Sequence, residues 1–233
     1  MSAPAVGFAR ELRRARAIFW KDLLSERRTK ANFNAVVFFA GLTLLLFGFA
    51  LGPDADALRA AASGVIWLTV LFSGVLAFNR SYQSELEGGA LEALLLYPGG
   101  RRAIFLGKTA ANLAFVLLVE CLVVPMAAVL YDVPVLPVLP RLAGIILLGT
   151  TGFVTLGTFY AAMASRVRAR EVLLPLLLFP MLVPLLLAAV ECTHAVLAGT
   201  LMGNTGTWVR LLVAFDVIFL AAAHVAFESV IED

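Results

Sequence analysis

Charged side chains are scarce in this chain. Of its 233 residues, 15% are Asp, Glu, Lys or Arg, whereas 61% are hydrophobic. Soluble globular domains carry about 25% charged and about 45–50% apolar residues. A soluble domain this apolar would expose large adhesive patches. The composition therefore argues against an ordinary soluble domain, and we expect no nucleic-acid partner.

Cysteine and histidine are nearly absent, with only Cys121, Cys192, His194 and His224. No CxxC, CxxCH or Cys/His zinc spacing occurs, which excludes a disulfide framework, covalently attached haem and a zinc site. GxSxG, HExxH and paired-Asp motifs are also missing, so we expect no catalytic residue and no enzyme. His194, beside Glu191 in a predicted outer loop, is a candidate haem or metal ligand. The alternative is an ordinary loop histidine.

A nucleotide-binding loop is missing too. Gly107-Lys108-Thr109 resembles the end of such a loop, but Arg102 stands where the motif needs its first glycine. The flanks are apolar helix rather than strand, so the chain is not expected to bind ATP by itself. We interpret Lys108 as an anchor whose ammonium group reaches the inner membrane surface.

Long apolar blocks dominate what is present. A helix needs roughly 20 apolar residues to cross a bilayer, and no alternating short strands of the barrel type occur. The sequence therefore predicts an all-α polytopic membrane protein, with a six-helix transmembrane domain over residues 31–233. The predicted spans are 34–51, 60–78, 104–130, 142–164, 172–190 and 208–227.

Residues 1–30 form a basic arm ahead of the first span. Its apolar residues recur at steps of four and three, and they are Phe8, Leu12, Ala15, Phe19 and Leu23. This spacing predicts an amphipathic helix that lies on the membrane surface. The alternative is a solvated charged helix.

Lys and Arg are distributed unevenly between the predicted loops. With the N-terminus inside, fifteen lie on the inner side, and three lie outside: Arg59, Arg141 and Arg210. Because basic loops stay in the cytoplasm, both termini are predicted to be cytoplasmic.

Several residues within the spans stand out. Pro175, Pro180 and Pro184 should bend or break the fifth span, because each proline removes a backbone donor. The fourth span carries glycines that would let helices approach closely: Gly144, Gly149, Gly152 and Gly157.

Two carboxylates, Glu120 and Asp216, sit inside apolar runs. Because a charge in the bilayer is costly, we expect both to face the bundle interior or a hydrated cavity. The functional hypothesis is that they line a substrate path or act as a proton-linked switch. The structural alternative is that they make hydrogen bonds between helices, with Asn112, Thr151 or Thr155 as partners.

The inner connection 79–103 predicts a docking element. The pair Gly88-Gly89 interrupts regular structure, and Pro98 ends the next element. The residues between them, 90–96, are strong helix formers. An apolar short helix with acidic neighbours fits a soluble partner better than an anionic leaflet. The residues assigned to this coupling role are Glu85, Glu87, Gly88, Gly89, Leu91, Glu92, Leu94, Leu95 and Pro98. The alternative is a surface helix on lipid.

Four segments in order resemble CcmB, the permease family of the haem-exporter system for cytochrome c maturation. They are Lys21-Asp22-Leu23-Leu24-Ser25-Glu26-Arg27-Arg28, Gly64-Val65-Ile66-Trp67, Glu87-Gly88-Gly89-Ala90-Leu91-Glu92 with Leu94-Leu95-Leu96-Tyr97-Pro98, and the proline-rich run 175–184. The resemblance covers about residues 15–225. Gly88-Gly89 departs from the family pattern, which more often has Asp-Gly.

The resemblance implies a permease fold of the ABC-2 exporter type. Two copies of the chain would pair with two copies of a separate ATP-binding subunit and join a haem-handling membrane protein in the bacterial inner membrane. Haem would be a transported or handled ligand rather than a cofactor of this chain. The open alternatives are a permease of another ABC-2 exporter, for lipid, polysaccharide or drug, and a secondary carrier that uses Glu120 and Asp216.

Overall fold

A computed structural model describes residues 3–29, 31–87, 102–164, 170–200 and 205–230. Within these ranges every regular element is an α-helix. The seven helices are α1 (Ala3–Thr29), α2 (Ala31–Leu51), α3 (Ala55–Glu87), α4 (Arg102–Leu130), α5 (Val135–Ala164), α6 (Arg170–Leu197) and α7 (Thr205–Val230).

Helices α2 to α7 are each long and apolar enough to cross a membrane. This confirms the six predicted spans, although the helices extend beyond them. Helix α3 continues nine residues past the predicted end at 78, and α6 continues seven residues past 190. Hydropathy locates the part of a helix inside the bilayer, whereas the polar turns that project from it carry no apolar signal.

Helix α5 lies at the centre of the bundle and contacts α3, α4, α6 and α7. Its glycines receive large side chains from its neighbours: Trp67 lies against Gly149, and Phe78 lies against Gly157. In return, Phe153 of α5 lies against Gly74 of α3.

Gly149, Gly152 and Gly157 thus make room for side chains of neighbouring helices, in line with a packing role for these glycines. The prediction is wrong for Gly144, which is exposed. Among the described residues, no atom of a neighbouring helix lies within 4 Å of the place that a side chain at Gly144 would occupy. Gly144 therefore faces outward from the bundle.

Apolar side chains on several helices face away from the interior of the bundle. Phe38 and Phe49 on α2 and Leu136 on α5 are largely exposed. Exposed side chains of this size suit acyl chains rather than water. The bundle therefore has a packed interior around α5 and a surface fit for lipid.

Proline does not interrupt α6. The helix runs from Arg170 to Leu197 through Pro175, Pro180 and Pro184, so these prolines do not break it, and the predicted bend stays a prediction. Pro180 and Pro184 lie on an exposed face. Prolines are tolerated in membrane helices because neighbouring helices and local adjustments compensate for the lost backbone bonds.

Candidate functional site: an inner junction and an intramembrane polar seam

The predicted coupling residues fall in the sequence between the middle of α3 and the start of α4, and the structure describes two of them. Glu85 and Glu87 belong to the last turns of α3, so this part of the predicted loop is helical. The other residues assigned to coupling lie outside the described residues: Gly88, Gly89, Leu91, Glu92, Leu94, Leu95 and Pro98. The structure does describe the last turns of α3 and the first turns of α4, which flank these residues in the sequence.

Lys108 of α4 joins three helices at this end of the bundle. Its side chain is 0% exposed. The ammonium Nζ donates to the backbone carbonyl of Ser81 on α3 at 3.0 Å and lies 3.4 Å from Oδ2 of Asp22 on α1. The prediction that Lys108 reaches a lipid surface is therefore wrong, because α1 folds over the inner end of α4 and supplies a carboxylate in place of lipid headgroups.

Helix α1 approaches α4 closely beside this lysine. A side chain at Gly107 would lie 2.7 Å from the backbone oxygen of Ala15 and 2.8 Å from Cβ of Ile18. Ala15 and Ile18 are buried in this contact, whereas Leu12 of the predicted apolar stripe is 58% exposed. Because Ala15 belongs to the predicted stripe and Ile18 does not, α1 packs on the bundle with a face that overlaps the stripe only in part.

The motif over residues 21–28 builds the corner between α1 and the spans. Asp22 lies between two lysines, with Oδ1 3.0 Å from Lys21 and Oδ2 facing Lys108. One turn later, Oε1 of Glu26 accepts a hydrogen bond from the backbone N–H of Phe33 at 2.9 Å, in the first turn of α2. A carboxylate can accept hydrogen bonds from the free N–H groups of a helix N-terminus, so Glu26 caps α2. Asp22 instead pairs with Lys108 of α4.

Glu120 occupies a polar seam between α4 and α5. It is 3% exposed, and its Oε1 accepts a hydrogen bond from Oγ1 of Thr150 at 2.6 Å. Two turns along the same seam, Nδ2 of Asn112 donates to Oγ1 of Thr158 at 3.0 Å. Glu120 therefore faces the bundle interior as predicted, but its partner is Thr150 rather than the three residues considered from the sequence.

Those three residues have other surroundings. Asn112 pairs with Thr158, and Thr151 donates to the backbone oxygen of Leu147 in its own helix. Within the described ranges, Oγ1 of Thr155 has no hydrogen-bond partner, and Oε2 of Glu120 has none either. The seam is thus only partly satisfied.

Asp216 of α7 lies on the other side of α5. A side chain at Gly152 would lie 2.5 Å from Oδ1 of Asp216, so the carboxyl fits into the space that the glycine leaves. In the part of the chain described, this Oδ1 is buried without a hydrogen-bond partner. Because Thr150 and Gly152 are two residues apart on α5, the two carboxyls lie at similar depth on opposite sides of that helix.

The remaining candidate ligand, His194, is not brought together with a group of other metal-binding side chains among the described residues. His194 lies in the last turn of α6 and is exposed, so its predicted position in a loop is wrong. Among the described residues, His, Cys, Asp and Glu form no group suited to a metal ion. Gly107, Lys108 and Thr109 lie in the helical interior of α4, a setting unlike the strand-to-helix loop that binds phosphate.

Sequence comparison gives a consistent family assignment. The family model described as CcmB protein matches residues 13–232. A protein named heme exporter protein B from Rhodobacter capsulatus is 32% identical over 176 residues, which cover 76% of this chain and 80% of that protein. Proteins of the same name from Pseudomonas aeruginosa and Haemophilus influenzae are 29% and 30% identical, over 81% and 76% of this chain and 83% and 80% of those proteins.

Proposed function

We propose, because this chain belongs to the CcmB protein family, that it is the membrane-spanning permease subunit of a haem exporter that serves cytochrome c maturation. The match over residues 13–232 carries this proposal, because it includes all six spans and most of α1. The names of the relatives, heme exporter protein B, supply haem as the substrate class. A multi-pass protein of this kind belongs in the bacterial inner membrane.

ATP hydrolysis belongs to a separate subunit in this proposal. The only sequence segment that resembles a phosphate-binding loop lies within α4, where the ammonium group of its lysine contacts Asp22 and the backbone oxygen of Ser81. We assign the docking of that subunit to the connection between α3 and α4. Two copies of the chain with two ATP-binding subunits, joined by a haem-handling membrane protein, would form the complete assembly.

The junction at Lys108 supports a mechanism for coupling. A force on the α3–α4 connection acts first on the inner ends of these helices. Lys108 ties the inner end of α4 to Ser81 of α3 and to Asp22 of α1, so the three helices should move together. Helix α5 contacts both α3 and α4, which provides a packed route from the inner side to the seam at Glu120.

Genetic complementation tests the function. A bacterium that lacks its own copy of this permease should assemble no c-type cytochromes, and expression of this chain should restore covalent haem staining of those proteins. Normal cytochrome c assembly in the deletion strain, with no effect of this chain, would contradict the haem-exporter proposal.

Co-purification tests the docking assignment separately. Leu94→Asp places a charge on the predicted contact face, so it should abolish co-purification of the ATP-binding subunit and leave insertion in the membrane intact. Ala198→Asp, an exposed position at the end of α6, is the matched control and should co-purify normally. Equal recovery of the ATP-binding subunit by both variants would remove the α3–α4 connection as the docking site.

A further inference from the structure

An open groove of about 410 Å³ lies between α1 and α4. Its lining residues are Leu12, Arg13, Ala15, Arg16, Phe19 and Ala110. The lining is almost entirely apolar, and two of the six lining residues are arginines. Small-molecule sites occupy about 300–1,000 Å³, so the groove has room for part of an elongated ligand.

The groove spans the boundary between membrane and water. Ala110 is eight residues into α4, which places it about 12 Å along a membrane-spanning helix. On the α1 side, Arg13 and Arg16 are exposed. Beside the groove, Phe19 packs edge to face on Trp20 with ring centroids 5.6 Å apart, and Trp20 is 47% exposed. Exposed tryptophan next to basic residues is typical of the headgroup region.

We propose that this groove binds one anionic phospholipid. Its acyl chain would lie along Leu12, Phe19 and Ala110, and its phosphate would bind Arg16, with Arg13 adding positive charge. The ligand must match both parts of the groove. A soluble phosphate compound would leave the apolar floor unfilled, whereas a neutral phospholipid would gain less from the two guanidinium groups.

Such a lipid would stabilise the contact between α1 and α4. The contact is narrow at Gly107, where Ala15 and Ile18 approach the α4 backbone, and the groove opens beside it. A bound acyl chain would fill that opening and cover the side of Ala15 that faces it. This proposal does not depend on the identity of the exported substrate or on the ATP-binding subunit.

Native mass spectrometry of the purified full-length chain tests the proposal. After incubation with equal amounts of phosphatidylglycerol and phosphatidylcholine, the chain should retain one phosphatidylglycerol in preference. Arg16→Gln should lower this retention about fivefold, the contribution typical of one basic residue at an anionic surface. Arg210→Gln, which changes an exposed arginine on α7 outside the groove, is the matched control and should retain the lipid.

A second pair of variants tests the apolar floor. Ala110→Leu should fill the groove and reduce retention, whereas Ala221→Leu, an exposed alanine of α7, should not. Added glycerol phosphate should fail to displace the lipid, because it lacks the acyl chain. Equal retention by the Arg16 and Arg210 variants, equal retention by the two alanine variants, displacement by glycerol phosphate, or occupation of the groove by a partner's helix in an assembled complex would each overturn the proposal.

Discussion

At the scale of single residues, Lys108 leads to the clearest prediction. Its buried ammonium needs the carboxylate of Asp22, so Lys108→Met and Asp22→Asn should each lower the free energy of unfolding by roughly 1–3 kcal/mol. The double variant should lose less than the sum, because the second change removes the group that the first leaves uncompensated. Thermal unfolding of the four purified proteins in detergent measures this coupling.

Lys21→Met provides the matched control for this cycle. Lys21 also lies near Asp22, at 3.0 Å, but its side chain is 46% exposed. Solvent screens such a pair, so its loss should change stability by no more than about 1 kcal/mol. Equal effects of Lys21→Met and Lys108→Met, or strict additivity in the double variant, would show that the buried junction has no special strength.

The position of a residue could be predicted from the sequence where the cost of exposing its side chain to lipid decided that position. A carboxylate in an apolar run must avoid lipid, and Glu120 is buried for that reason. Its partner could not be predicted, because Thr150, Thr151 and Thr155 differ only in the direction and the depth at which they leave α5. The prediction for Lys108 was wrong for a related reason. A lysine near the end of a span can reach either lipid headgroups or a carboxylate, and nothing in the local sequence shows that α1 folds over α4.

At the scale of elements, the seam between α4 and α5 predicts different effects for two threonines of one helix. Thr150→Val removes the hydroxyl that Glu120 accepts from, so it should destabilise the fold by about 0.5–2 kcal/mol. Thr155→Val removes a buried hydroxyl that has no partner in the described part of the chain, so it should be neutral or stabilising. The unfolding midpoint of each variant in detergent is the measurement.

Glu120→Gln completes the comparison within this seam. The amide oxygen can still accept from Thr150, so the variant should assemble and support cytochrome c maturation if the seam is structural. Failure of maturation by an assembled Glu120→Gln protein would assign the carboxyl a role in transport. A larger loss of stability in Thr155→Val than in Thr150→Val would contradict the described hydrogen bond itself.

Helix existence was easier to predict than helix ends or interruptions. Each span followed from a block of apolar residues, yet α3 and α6 both run past the ends of their blocks. Three prolines predicted a bend or a break in α6. The helix is not broken, because neighbouring helices can compensate for the backbone hydrogen bonds that each proline removes, and the bend stays a prediction. Helix α6 packs against α3, α5 and α7, and such contacts are not visible in a local sequence pattern.

At the scale of the whole molecule, polar contacts distinguish the two ends of the bundle. At one end, Nε of Arg59, in the second turn of α3, donates to the backbone oxygen of Asp132 at 3.0 Å, and the two side chains form an ion pair. The α2–α3 and α4–α5 connections therefore share one side of the membrane. The junction of Asp22, Lys108 and Ser81 lies at the other end.

This arrangement sharpens the prediction of orientation. Because Lys108 is buried in protein, it no longer counts as a loop charge, and the basic residues divide fourteen to three in favour of the end that carries α1. The positive-inside rule thus predicts that α1 and the α3–α4 connection lie in the cytoplasm.

Reporter fusions measure that orientation directly. An alkaline phosphatase fused after Asp233 should be inactive, because an even number of spans returns the chain to the cytoplasm, and a fluorescent protein at the same position should be bright. The same phosphatase inserted between residues 200 and 205, in the α6–α7 connection, should be active and serves as the matched control. Phosphatase activity at Asp233 with none in the α6–α7 connection would invert the topology, and it would move the proposed docking site to the side of the membrane that lacks ATP.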